Sequence, residues 1–243
     1  MKPAVAQIDS LQPALCYQQR VRLFASLAVV ALCAAGCGEP ADPSSSAGPS
    51  APAGTSVRVN PANIARVRTE LPAGYEVDDL AGRVSPAAMW GFGPGWTADP
   101  PQCGALAGPV VDGTVTRGWS GSGGGGIVYA VVTGSPPAKV GLDPALLAEC
   151  GHWTLSAGHT SGSVMFVAAP AIDGVATVAM STATTTVVEG GTETHSRAKT
   201  FTAYLGDYVA VVAVVTDPGS PNPPLGEEFA AELLMKTVMA LRG

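Results

Sequence analysis

The sequence predicts an α+β fold for residues 59–243: an antiparallel β-sheet with helices packed on one face, held by one disulfide. Three observations predict it. β-prone runs outnumber helical ones and are joined by short links, as antiparallel neighbours are. Two long β-prone runs, residues 175–188 and 192–205, flank Gly190-Gly191, a turn pair that reads as a hairpin. The chain ends on residues 227–241, where Phe229, Leu233, Met235, Val238 and Leu241 recur near helical spacing.

The elements follow in order. Residues 64–77 open the domain as two short elements around the turn-forming stretch Leu71-Pro72-Ala73-Gly74. Pro86 can start a short helix over residues 86–89, since proline suits a first helical position. Residues 90–103, WGFGPGWTADPPQC, read as a Gly/Pro loop carrying three aromatics. Strands are expected at 110–120 and 127–133 around the glycine run SGSGGGG, and again at 153–157 and 164–169. Between them, residues 142–150 form a short helix with Asp143 as cap, Pro144 at its first position and Gly151 beyond its end. Residues 208–216, YVAVVAVVT, are apolar on both faces and predict a central strand. In the last helix Glu227 and Glu228 favour the N-terminus.

Ahead of the domain, Arg20 and Arg22 precede an apolar run of 13 residues, 23–35. A membrane span needs about 20 residues, so residues 1–36 are read as a removable signal peptide. Residues 1–19 fit no part of such a signal, and the expectation is that translation starts near Val21, with the first 20 residues a start-site misassignment. Ala34-Ala35-Gly36 stand directly before Cys37, which resembles the lipobox of bacterial lipoproteins. The resemblance implies that Cys37 is acylated and becomes the mature N-terminus, and several acyl chains on one residue anchor stably where one chain is marginal. The alternative is ordinary secretory cleavage with a spare thiol at Cys37. The Pro/Ser/Gly stretch up to residue 58 has almost nothing to bury and predicts a disordered tether. At about 3.1 Å per residue it reaches roughly 60 Å from the bilayer. The location expected is therefore the cell membrane, lipid-anchored on its extracytoplasmic face.

From Cys37 onward there are 10 Lys/Arg against 18 Asp/Glu, a side-chain net of −8. No basic stripe offers itself to nucleic acid, and charge-driven binding to anionic lipid is disfavoured. Once Cys16, Cys33 and Cys37 are assigned to the leader and the anchor, Cys103 and Cys150 remain. An even pair in an oxidising compartment predicts a disulfide. A metal site on Cys150 and His152 is the rival, but it lacks the paired ligand spacing of zinc sites.

No catalytic signature stands out, and no cofactor is expected. Residues 121–126 formally match G-x-G-x-x-G, but the β-prone IVYAVV follows where a dinucleotide site requires a helix. His152, His159 and His195 sit in no H-E-x-x-H, and no serine sits in G-x-S-x-G. A Ser/His/Asp set can still assemble in space, because triads have no fixed order. Trp90, Phe92 and Trp96, spaced by glycines and prolines, are candidates to line an apolar pocket or to anchor a partner. The plainer alternative is that they cover the end of the sheet near Cys103.

The lipobox and tether precede a domain carrying LPAGYEV at 71–77, P-x-x-C at 100–103, GWSGSG at 118–123, CGHW at 150–153, VVEGGTET at 187–194 and DPGSP at 217–221. This combination resembles mycobacterial lipoproteins whose domain has no assigned function. More distantly it resembles the extracellular sensor domain of a mycobacterial Ser/Thr kinase. The resemblance implies a surface binding or sensing module and transfers no functional residue. The expectation is a non-catalytic, lipid-anchored module for a small apolar or glycolipid ligand or for an envelope protein. The alternatives are an envelope serine hydrolase with a spatially assembled triad, or a structural surface protein without a ligand.

Overall fold

The computed structural model describes residues 58–80, 84–108, 112–134 and 142–243. The signal stretch, the Cys37 lipobox and the tether up to residue 57 lie outside the described residues. Among the described residues nine antiparallel strands form one sheet: β1 (Glu76–Asp79), β2 (Thr97–Asp99), β3 (Asp112–Gly123), β4 (Gly126–Gly134), β5 (His152–Ala157), β6 (Thr160–Val167), β7 (Ala176–Val187), β8 (Glu193–Leu205) and β9 (Tyr208–Thr216). Their order across the sheet is β1-β3-β4-β9-β8-β7-β6-β5-β2. The apolar strand β9 is flanked on both sides, with Val212 opposite Ala130 of β4 and Phe201 of β8. The chain is thus α+β with an antiparallel sheet, as its pattern predicts.

The longest helix, α4 (Glu227–Arg242), covers one face with the 3₁₀ segment Pro61–Glu70. That segment buries Ile64 and Val67, three residues apart, which suits a helix whose i and i+3 side chains eclipse. Leu233, Leu234, Val238 and Leu241 of α4 meet them over Trp119, Val128, Phe201 and Val212 of the sheet. The C-terminal carbonyls of α4 lack helical donors. Asn60 N–H donates to the Leu241 carbonyl at 2.8 Å, and Asn63 Nδ2 donates to Ala240 at 2.9 Å. Lys236 pairs with Glu70 at 2.6 Å across the same joint.

The other face carries a second core beneath short helical turns: α1 (Pro86–Met89), capped by Ser85, then α2 (Gly104–Ala107) and α3 (Pro144–Glu149). Asp143 caps α3 through the Ala145 N–H at 2.9 Å, and Pro144 stands in its first turn, as the sequence suggests. The Cys103–Cys150 disulfide, with Cα atoms 5.5 Å apart, ties the 3₁₀ turn Pro101–Cys103 to the end of α3. The sequence expectation placed helices on one face. The long helical elements keep to it, and these short turns add a thinner layer opposite.

Two stretches differ from their local propensity. β6 starts at Thr160 and not at 164, because Ser161-Gly162-Ser163 pairs on both sides, with Ser156-Leu155-Thr154 and with Thr185-Thr184-Ala183. Pairing on two sides overrides the turn preference of Ser-Gly-Ser. The glycine run is also mostly strand: β3 continues through Gly123, β4 resumes at Gly126, and only Gly124-Gly125 make the turn. Among the described residues no helix is long and apolar enough to cross a membrane.

Candidate functional site

The glycine hairpin is held by its neighbours. A Cβ on Gly121 would stand 2.6 Å from Leu71 Cδ1, and one on Gly123 would stand 2.6 Å from the Tyr75 ring. Gly126 has φ +121°, and a Cβ there would meet the Val215 carbonyl oxygen at 2.4 Å. At Gly126, where the approach is to backbone and φ is positive, only glycine fits. The carbonyl of Gly125 accepts from Leu225 N–H at 2.9 Å, which ties the hairpin tip to the segment that leads into α4.

That segment, residues 217–225, is DPGSPNPPL. Asp217 folds it: its Oδ1 accepts from Gly219 N–H at 2.7 Å and its carbonyl accepts from Ser220 N–H at 3.0 Å. Ser220 Oγ then accepts from Asn222 N–H at 3.2 Å. Asx and Ser turns followed by prolines set such a path with few alternatives.

Between hairpin, β9 end and this loop lies a cleft of about 350 Å³. Ile127, Val215 and Pro224 supply its apolar wall, and Ser196, Thr216, Asp217, Ser220 and Asn222 its polar groups. Among the described residues the lining contains one carboxylate and no Lys, Arg, His or Cys. An apolar wall with a few convergent polar groups is the usual make-up of a small-ligand site, and this volume is at the small end of the range. The hairpin settles the G-x-G-x-x-G match on geometry. The glycines run strand–turn–strand, so no helix N-terminus faces the cleft through them, and Asp217 repels a phosphate.

Two other hollows differ in kind. A groove of about 410 Å³ over β5–β7 is lined by hydroxyls, among them Ser156, Ser161, Ser163 and Thr185. A crevice of about 200 Å³ lies by Leu147, Phe166 and Val178 and is mainly apolar.

The sequence-predicted aromatics go elsewhere. Trp90 and Phe92 are 1% and 4% exposed, inside the disulfide-side core. Trp90 Nε1 donates to Thr200 Oγ1 at 2.8 Å, and its ring lies 6.3 Å from that of Trp153. The Phe92 ring closes on Gly162, whose Cβ would meet it at 3.0 Å. Trp96 is half-buried and lies over Gly104 and Gly108. None of the three lines the cavities named above.

All three histidines are exposed. His195 Nδ1 lies 3.1 Å from Thr185 Oγ1, and its Nε2 lies 3.7 Å from Glu193 Oε2. Hydroxyl, imidazole and carboxylate are thus in sequence, but the side chains of His195 and Glu193 are 55% and 57% exposed. Oxyanion stabilisation draws its strength from a water-excluded site, and this strand surface excludes none. Among the described residues no group of three or more His, Cys, Asp or Glu is placed to hold a metal ion.

An uncharacterized protein from Mycobacterium smegmatis, an ortholog of Rv0999, has a similar fold, with a TM-score of 0.56 at 19% identity over 76% of this chain and 98% of its own. The extracellular domain of PknH from Mycobacterium tuberculosis aligns with a TM-score of 0.40 at 14% identity, over 75% of this chain and 93% of its own. No curated protein matches the sequence. Residues 60–242, which take in the whole sheet, both helical layers and the cleft, match the model of DUF5642, a domain of unknown function, and the chain belongs to that family.

Proposed function

We propose that this chain is a lipid-anchored module of the cell envelope that binds an amphiphilic ligand without transforming it, and that the glycine-hairpin cleft is where it binds. The cleft carries the proposal: it joins an apolar wall to five polar side chains and, among the described residues, has no His, Cys, Lys or Arg in its lining. The membrane-anchored, extracytoplasmic setting is supported by the signal-like run, the small residues before Cys37 and the Pro/Ser tether. A disulfide between Cys103 and Cys150 fits an oxidising compartment.

Native mass spectrometry of the full chain extracted from its own membranes tests the proposal. The expected spectrum shows acyl mass on Cys37 and a retained ligand. That ligand is lost in Gly124→Trp, since Gly124 faces Asn222 with ordinary spacing and a large side chain there fills the cleft. An empty domain in every preparation, or a ligand that the plugged variant retains, refutes binding in this cleft.

A further inference from the structure

We propose that the cleft takes the neutral, hydroxyl-bearing head of a glycosylated amphiphile, with Asp217 and Asn222 as the pair that reads it. The proposal rests on the binding role given above to the same cleft. It follows from what lines the walls. Among the described lining residues the only formal charge is the Asp217 carboxylate. A phosphate or carboxylate head would meet that charge with no lysine, arginine or histidine among the described lining residues to offset it, and like charges repel. A quaternary ammonium head is attracted by a carboxylate but is ordinarily recognised by a cage of aromatic faces, and no aromatic is among the described residues that line this cleft. A divalent cation needs several oxygen ligands of which carboxylates are the core, and here there is one.

A sugar hydroxyl fits each polar group. A carboxylate accepts two or more O–H donors, an amide both donates and accepts, and serine does both through one atom. Hydroxyl-to-carboxylate bonds are charge-assisted and short. Asp217 is oriented for this by the bond from Gly219 N–H to its Oδ1, and Asn222 stands beside Gly124 at the hairpin tip. Ser196 and Ser220 add hydroxyls on the same lining. On the same lining Ile127, 39% exposed and paired in register with Val215, joins Pro224 as apolar surface for the C–H face of a ring or the first carbons of an alkyl chain.

The test uses the full acylated chain in phosphatidylcholine nanodiscs and four water-soluble probes sharing one short tail: n-butyl β-glucoside, n-butyl phosphate, n-butyltrimethylammonium and n-butanol. Saturation-transfer difference titrations read their affinities. The glucoside is expected to bind about tenfold or more tightly than the other three. Asp217→Asn keeps an oxygen for Gly219 N–H but loses the charge, and it should weaken the glucoside about tenfold. Asn222→Ala should do the same, and Gly124→Trp should abolish binding. Equal affinities for all four heads, or preference for phosphate or ammonium, overturn the glycosyl inference while leaving an amphiphile in the cleft. Saturation transfer that Gly124→Trp does not reduce, or none from any probe, overturns the cleft itself and the inference with it.

Discussion

Two threonines on one face of the sheet should respond in opposite directions to the same substitution. Thr182 of β7 is 1% exposed, and its Oγ1 is buried with no protein partner. Its register neighbours are Val164 and Ala198, both buried. Thr182→Val places a methyl where the hydroxyl stands, keeps the β-branch that suits a strand, and removes an unsatisfied group that costs about 1–3 kcal/mol. Thr200 of β8 is equally buried, but its Oγ1 accepts the Trp90 indole N–H at 2.8 Å. Thr200→Val orphans that donor at 0–1% exposure and should destabilise by about 1–3 kcal/mol. For a domain of this size each kcal/mol moves the melting temperature by about 2–4 °C. Urea unfolding with an unchanged m-value is the measurement, since it separates stability from a change in the unfolded chain. If both variants lose stability, or both gain it, then hydrogen-bond satisfaction does not govern this layer and the account of Trp90 as a core anchor fails.

Four further outcomes follow from the same geometry. Gly126→Ala should cost at least about 2 kcal/mol, because its Cβ meets a backbone carbonyl at 2.4 Å, while Gly124→Ala should stay within about 0.5 kcal/mol; thermal melts compare them. Removing the disulfide with Cys103→Ser and Cys150→Ser opens a loop of 47 residues and should lower stability by about 4 kcal/mol in chain-entropy terms, read by denaturant titration against the oxidised protein. Stability should fall as pH rises above about 10. Burial pushes Tyr129 and Tyr204 above 10.0, and the hydrogen bond to Glu70 raises Lys236 above 10.5, so the unfolded chain releases these protons first; Tyr204→Phe should flatten the decline in melts taken between about pH 9 and 11.5. A fluorophosphonate probe should leave the chain unlabelled, and adduct mass on Thr185 or on any serine would reopen hydrolase chemistry.

Where one physical signal dominated, the fold was legible in the sequence. Strand β9 is apolar at every inward position because both of its faces are covered, and that shows as an unbroken run. The β7–β8 hairpin announced itself at Gly190-Gly191, both of positive φ, and α3 through Asp143 and Pro144. What failed to show was sheet membership decided by distant partners. Ser161-Gly162-Ser163 looks like a turn until two neighbouring strands claim it. Residues 97–99, inside a Gly/Pro loop, become an edge strand only because β5 offers them hydrogen bonds.

The candidate site was hidden for a related reason. By residue type alone, large aromatics such as Trp90 and Phe92 are the natural candidates for a binding site. Yet a tryptophan brings its large apolar area to whichever side of the sheet can cover it, and here the disulfide layer does. The cleft is built from the opposite kind of residue. Glycines let Tyr75 and Leu225 approach the hairpin, and Asp217, Ser220 and Asn222 use their short side chains to shape the loop as well as to line it. Taken singly, each is an ordinary turn former. Their convergence depends on β3–β4 and the end of β9 meeting at one end of the sheet, which no spacing within either segment encodes. The phrases GWSGSG and DPGSP stand about a hundred residues apart in the chain. Their shared cleft therefore makes a sharper demand than either phrase does: a change that fills the hairpin side, at Gly124, must disable recognition by Asp217 on the loop side, although the two groups belong to different segments.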